Sequence, residues 1–167
     1  MNITYRHIQK EDNQAVKELI QAVFVEFEAP QEGTVFADPE MDDLHKLFLQ
    51  EKKAVFWVAA AKDQILGCCG IYPTAGLPDG CTELVKFYLS PKARGKGIGK
   101  TLMEKCTESA LALGYDALYI ESIPAFSNAV RVYEKQGFQK LDRPLGNSGH
   151  FSCSIWMLKK LVTDHPA

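Results

Sequence analysis

The chain has 167 residues, a length that fits one domain able to bury roughly 70% of its unfolded surface. A hydrophobic share of 46%, a charged share of 24% and a formal net charge of −2 are those of a soluble globular protein, and they argue against a general polyanion-binding surface. Met1 to Asp12 lacks a signal-peptide core, and the longest apolar run, Ala54 to Ala61, has the length of a strand, so neither export nor a membrane span is expected and the location implied is cytoplasmic.

In chain order, Ile3 to Ile8 alternates as a short strand. A helix follows from about Asp12, with Ala15, Leu19, Ala22 and Val23 as its apolar stripe. Ala29 to Asp38 is a loop broken by Pro30 and Gly33, and Asp38-Pro39 reads as an N-cap with proline at the first position of a second helix carrying Met41, Leu44, His45 and Phe48. Val55 to Ala61 and Gln64 to Tyr72 read as a hairpin turning near Lys62-Asp63. Cys81 to Leu89 is a fourth strand, stopped by Pro91, and a helix with Ile98, Leu102, Cys106, Ala110 and Leu113 on one face ends at Gly114. Asp116 to Ser122 is a fifth strand, expected to run parallel to the fourth across that helix. Ala125 to Gln136 forms the last helix, and Phe138 to Leu141 and Phe151 to Leu161 are terminal strands around the loop Asp142 to Gly149. This order predicts a single α/β domain over residues 1–167, a mixed and mostly antiparallel central sheet of about seven strands with helices on both faces.

Five cysteines without framework spacing argue against structural disulfides, and adjacent Cys68 and Cys69 would point to opposite faces of a strand. His150-x-x-Cys153 has no partner pair elsewhere, so no metal is expected.

The densest chemical signal is the turn between the fourth strand and the helix after it, Arg94-Gly95-Lys96-Gly97-Ile98-Gly99-Lys100. Strand, glycine turn and helix N-terminus in this order gather backbone N–H groups and a positive dipole end, which suits phosphate. A Walker A loop would need glycine where Arg94 stands, and a dinucleotide fingerprint would need it at Lys100. Lys92, Arg94, Lys96 and Lys100 gather with no Asp or Glu between Leu84 and Met103, a focused anion site in a net acidic chain.

The spelling that remains, Arg94-x-x-Gly97-x-Gly99, resembles the pyrophosphate signature of the GNAT acetyltransferase superfamily, and Ala129-Val130-Arg131-Val132-Tyr133-Glu134-Lys135-Gln136-Gly137-Phe138 is similar to that family's A-x-x-x-Y-E-K-x-G-F segment. The order of elements is also the family's, so the resemblance covers most of the chain. It implies acetyl-CoA as co-substrate, held by Phe87, Tyr88 and Leu89 on the fourth strand and by Arg94, Gly95, Lys96, Gly97, Ile98, Gly99, Lys100 and Thr101 in the turn. Many members place Asn seven residues before the motif tyrosine; Phe126 stands there instead, and Asn128 is the substitute expected to reach the cofactor, with weaker binding as the consequence.

Amide formation from a thioester needs an amine stripped of its proton, which at pH 7 costs about three pK units, roughly 4 kcal/mol. Glu83 and Glu121 are the two candidates for the base, both at positions where the family uses acids, and the sequence does not choose between them. Tyr133 is the candidate acid for the leaving thiolate by its place in the second motif, and a backbone N–H near Leu89 is the expected donor to the thioester oxygen. With no cysteine in an activating context, direct attack in a ternary complex is expected. The acceptor region runs from about Phe24 to Phe48, where Asp38, Glu40, Asp42 and Asp43 either attract an amine or serve a helix N-terminus, and Pro144 to Phe151 forms the opposite wall. Three functions fit: acetylation of a small-molecule amine, which leads; acetylation of a protein α-amine or lysine; and a non-catalytic acyl-CoA sensor. No nucleic acid or membrane partner is expected, and a homodimer is compatible with each.

Overall fold

A computed structural model describes residues 2–161. The elements are β1 (Thr4–His7), α1 (Asn13–Glu26), α2 (Leu44–Gln50), β2 (Val55–Ala61), β3 (Gln64–Tyr72), β4 (Cys81–Leu89), α3 (Ile98–Ala112), β5 (Ala117–Ser122), α4 (Ser127–Lys135), β6 (Gln139–Leu141) and β7 (Ile155–Lys160). The strands form one seven-stranded sheet in the order β1-β2-β3-β4-β5-β7-β6. Every neighbouring pair is antiparallel except β4 and β5, which the crossover through α3 makes parallel, as the sequence predicts. Among the described residues no helix is long and apolar enough to cross a membrane.

Helices cover both faces. On one, Val16, Ile20 and Phe24 of α1 and Leu44 and Phe48 of α2 pack on Phe56, Val58 and Cys68. On the other, Ile98, Leu102, Cys106 and Ala110 of α3 and Val130 and Tyr133 of α4 pack on Leu66, Cys69 and Leu118. Cys68 and Cys69 lie in opposite cores, as strand alternation requires.

The buried stripe of α1 is Val16, Ile20, Val23 and Phe24 rather than Ala15, Leu19, Ala22 and Val23. This helix has apolar residues on more than one face, and the face with the larger side chains removes more surface from water. Asp38 does not cap a helix: Pro39–Asp42 is a single 3-10 turn, and α2 starts at Leu44 with Asp43 accepting from Lys46 N at 3.1 Å. Asn13 joins the two segments. Its Oδ1 accepts from Leu44 N at 2.6 Å, and its Nδ2 donates to the carbonyls of Met41 at 3.1 Å and Asp42 at 3.0 Å.

Two irregularities set the course of β4. The β4–β5 ladder holds only Cys81–Ala117, Thr82–Leu118 and Glu83–Tyr119, although the strands continue to Leu89 and Ser122, so they part beyond Glu83. Against β3 the register runs from Gly70–Val85 to Cys68–Tyr88, so Lys86 and Phe87 stand opposite Cys69 alone, a β-bulge with Lys86 at a φ of +53°.

Replacing Asn13 with Ala should lower unfolding stability by about 2 kcal/mol, because three hydrogen bonds between α1 and the start of α2 vanish together. Urea denaturation of the two proteins checks this; an unchanged midpoint would show that the segments are held by apolar contact alone.

Candidate active site

Where β4 and β5 part, a cavity of about 440 Å³ opens between them. Phe87, Tyr88 and Leu89 line it from β4, Glu121 from β5, and Asn128 and Tyr133 from α4. The glycine turn and the first residues of α3 border it as well, as do Phe24 and Phe27 at the end of α1 and His150 and Cys153 before β7.

The turn is built by glycine for two different reasons. Gly95 and Gly97 take φ values of +74° and +78°, and a Cβ at either would meet nothing within 4 Å, so it is backbone conformation that demands glycine there. Gly99 is demanded by space: a Cβ would lie 2.9 Å from Leu89 Cδ1 and 3.1 Å from Phe87 Cζ, on the cavity wall. Gly97 is the N-cap of α3, and the helical ladder begins with Thr101 N donating to Gly97 O at 3.1 Å. The N–H groups of Ile98, Gly99 and Lys100 therefore have no helical carbonyl to bond, and they sit at the positive end of a 15-residue helix beside the cavity.

The cations of this stretch have separate fates. Lys100 lines the cavity and Lys96 does not. Thr101 folds back, its hydroxyl donating to Gly97 O at 3.1 Å. Arg94 reaches away from the turn to α1, bonding both oxygens of Glu26 at 2.6 and 2.9 Å, donating to Leu89 O at 3.1 Å and stacking 5.1 Å from the Phe27 ring. Its hydrogen bond holds the Glu26 carboxyl below the usual range. Sequence spacing misses this pairing, since Glu26 lies 68 residues earlier.

The two carboxylates line the cavity in different states. Glu83 is 4% exposed and receives one hydrogen bond, from Thr74 Oγ1 at 2.6 Å. Burial raises its pKa to about 7, with the Glu121 charge adding to the rise and the Thr74 bond opposing it. Glu121 is satisfied on both oxygens, by the Tyr119 hydroxyl at 2.7 Å and by the Ser148 hydroxyl. Tyr133 is 5% exposed, its ring 6.0 Å from that of Phe87, and burial raises its pKa far above the ordinary value. Phe126 packs edge-on to Phe24 at 5.2 Å and near Tyr88 at 6.0 Å, while Asn128 reaches the cavity from the first turn of α4.

A second cavity of about 250 Å³ lies alongside, bordered by Tyr72, Thr74 and Asn147 and sharing Glu83, Lys86 and His150 with the first. Of the four acids between Asp38 and Asp43, two turn to local work: Asp42 pairs with Lys17 and Asp43 caps α2. Asp38 instead holds His150 Nε2 with both oxygens, at 2.8 and 2.9 Å, and approaches Lys86 Nζ at 3.5 Å. Burial lowers the His150 pKa, but the hydrogen bond and charge of Asp38 outweigh it and hold the imidazolium above its ordinary value. These contacts bring the loop after α1 and the loop before β7 together, and Ser152 adds bonds to the carbonyls of Glu32 at 2.7 Å and Gly33 at 3.1 Å. Sequence reading missed Lys86 and the Asp38–His150 pair.

Glu121, His150 and Cys153 place one ligand atom each within 4.8 Å of one another. Their chemistry does not favour a metal: His150 Nε2 is bound to Asp38, Glu121 to two hydroxyls, and burial pushes the Cys153 thiol up to about 12.

A sequence profile of the acetyltransferase (GNAT) family matches residues 15–138. The chain is 33% identical over 157 residues to the uncharacterized N-acetyltransferase YjgM of Escherichia coli (strain K12), covering 93% of each protein. It also matches rat N-acetyltransferases 8B and 8, about half of whose length it spans. Among solved structures, a GNAT-family acetyltransferase from Staphylococcus aureus Mu50 superposes with a TM-score of 0.84 at 20% identity, over 96% of this chain and 100% of that one. The PaiA N-acetyltransferase of Thermoplasma acidophilum in complex with coenzyme A gives 0.70 at 20% identity, over 96% and 99%. Both likenesses are of fold.

An acid whose folded pKa is raised favours the folded state when protonated, so Glu83 contributes least to stability above about pH 7 and its penalty disappears below its ordinary value of 4.5. Glu83→Gln should therefore stabilise the protein by about 3 kcal/mol at pH 8 and by little at pH 4.5, read as a pH-dependent shift in denaturation midpoint. A pH-independent difference would contradict the burial of this carboxyl.

Proposed function

The chain belongs to the acetyltransferase (GNAT) family and is an acetyl-CoA-dependent acyltransferase, and on that premise we propose that it acetylates the primary amine of a small molecule by direct attack in a ternary complex. The observation that carries this reading is that one cavity is bordered both by the free N–H groups at the start of α3 and by Glu83, Glu121 and Tyr133. The coenzyme A in the Thermoplasma neighbour agrees with it.

In this reading the backbone N–H groups of Gly95 to Lys100 hold the diphosphate, with the Lys100 side chain adding charge, Lys96 contributing backbone only, and Thr101, whose N–H and hydroxyl both donate to Gly97 O, closing the turn instead. The edge of β4 from Leu84 to Leu89, which has lost its β5 partner, offers strand hydrogen bonds to the amides of the pantetheine arm. Asn128 meets the cofactor from α4. A β4 N–H near Leu89 takes the charge that develops on the thioester oxygen.

Glu83 is the base. With a pKa of about 7 it is half ionised at neutral pH and close in basicity to what proton transfer at that pH requires, whereas both oxygens of Glu121 are engaged by hydroxyls. Glu121 then keeps the site acidic enough to draw in an ammonium ion and raises Glu83. Tyr133 stays protonated at any working pH, and its raised pKa is no obstacle, because a thiolate released into the same desolvated space is itself more basic than in water. Burial pushes the thiols of Cys68 and Cys153 up to about 12 and that of Cys81 to about 11, which favours the ternary complex over a cysteine acyl-enzyme.

Incubation with acetyl-CoA and a panel of small amines should release CoA thiol; binding of CoA without thiol release from any amine would favour the sensor reading instead. Tyr133→Phe should lower kcat at least tenfold while leaving the Kd for CoA nearly unchanged. The kcat/KM profile should rise with pH through about 7 as Glu83 ionises, and Glu83→Gln should abolish that limb and cost on the order of 10²–10⁴ in kcat. Retention of the limb in Glu83→Gln with its loss in Glu121→Gln would transfer the base role to Glu121.

A further inference from the structure

Lys86 sits at the bulge of β4 in a conformation that lysine adopts reluctantly. A non-glycine residue at a φ of +53° is strained, and nothing in sheet formation calls for a lysine there. The side chain is 5% exposed, and its ammonium lies 3.5 Å from Asp38 Oδ2 and 4.0 Å from Glu40 Oε1. Neither contact has the length of a good charge-assisted hydrogen bond, and among the described residues the ammonium donates none. Asp38 is the nearer partner, but both its oxygens already serve His150. The stem is buried while the ammonium, which makes no hydrogen bond among the described residues, borders both cavities beside Glu83, so its three donors are free to meet whatever fills them.

Building on the acetyl-transfer reading, we infer that Lys86 binds a carboxylate of the acceptor, which makes the substrate class a small amino acid. One end of such a molecule is the ammonium that Glu83 deprotonates; the other completes the hydrogen bonding of Lys86. The surrounding charges select the kind of anion. Asp38, Glu83 and Glu121 all approach this space, so a phosphate dianion meets net repulsion, whereas a zwitterion adds one charge of each sign, each next to its opposite. The second cavity has an apolar side of Leu47, Phe48, Tyr72 and Val85, which suits a side chain of modest size, and a polar side of Glu40, Thr74, Asn147 and Ser148. The bulge then has a purpose: it turns a strand residue out of its normal alternation so that its cation and the carboxyl of Glu83 serve one ligand.

The test compares each common α-amino acid with its primary amide and its decarboxylated amine as acceptor, using the intact protein, acetyl-CoA and thiol release. For the best amino acid, kcat/KM should exceed that of both relatives by roughly 10- to 100-fold, the worth of one charge-assisted hydrogen bond. Lys86→Met should bring that ratio close to one by raising KM for the acid, and Lys86→Arg should retain part of it, with CoA binding as the check that each variant is folded. Should Lys86→Met not fold, the wild-type ratio still decides. Amide and amine acceptors that react as well as the acid, or a preference that survives Lys86→Met, would overturn the inference and leave acetyl transfer standing. Absence of thiol release from every amine would overturn both.

Discussion

The arrangement of the whole site follows from a hydrogen-bond ladder that stops early. β4 and β5 are parallel and pair only as far as Glu83 and Tyr119, after which each strand carries an edge of polar backbone groups with no strand opposite. Buried without partners, such groups cost on the order of 1–3 kcal/mol each, so a gap of this kind persists only where water or a ligand can satisfy it. Parallel strands also oblige the chain to cross over, and the crossover is α3. The turn leading into α3 comes directly after β4, so the free N–H groups of the helix and the free edge of the strand become neighbours by topology. Free helix N–H groups and a free strand edge therefore meet in one cavity without any side chain having to arrange it.

Side chains decide what happens at the deeper part of that gap. Five ionisable residues, Asp38, Glu83, Lys86, Glu121 and His150, lie close enough to perturb one another, and their differences come from their hydrogen-bond partners. Glu121 has two hydroxyl donors; Glu83 has one and is more deeply buried, and burial drives it toward neutrality near pH 7. The Asp38–His150 contact, with the Ser152 bonds beside it, fastens the loop after α1 to the loop before β7 across this cluster by polar bonds between segments 112 residues apart.

What the sequence made legible was local. The glycine turn, the apolar face of α3 and the parallel β4–β5 crossover could all be read because each is written within about thirty consecutive residues. The α1 stripe was placed one residue early because that helix has apolar residues on several faces, and choosing among them depends on which side chains the sheet can accommodate. Asp38-Pro39 has the spelling of a helix start, but a distant histidine takes the carboxylate, and the helix waits for Asp43. The bulge at Lys86 left no trace at all. Bulges are announced in sequence by glycine or proline, and here a lysine takes the left-handed conformation.

Arg94 shows how the most conspicuous side chain of a motif can take partners that the motif's spelling does not announce. In sequence it belongs to a run of four cations that invites a picture of positive side chains gathered round an anion. In the structure its guanidinium is saturated by Glu26 and Leu89 O and lies over Phe27, leaving little charge to offer the turn. What it provides is attachment: it links the end of β4 to the end of α1, so the segment that carries Gly95 and Gly97 is anchored at its first residue. A loop with two glycines in left-handed conformation has much freedom to lose, and N–H groups that must converge on one anion bind it well only if that freedom is spent beforehand. The arginine's part in the turn is therefore to restrain backbone rather than to present charge.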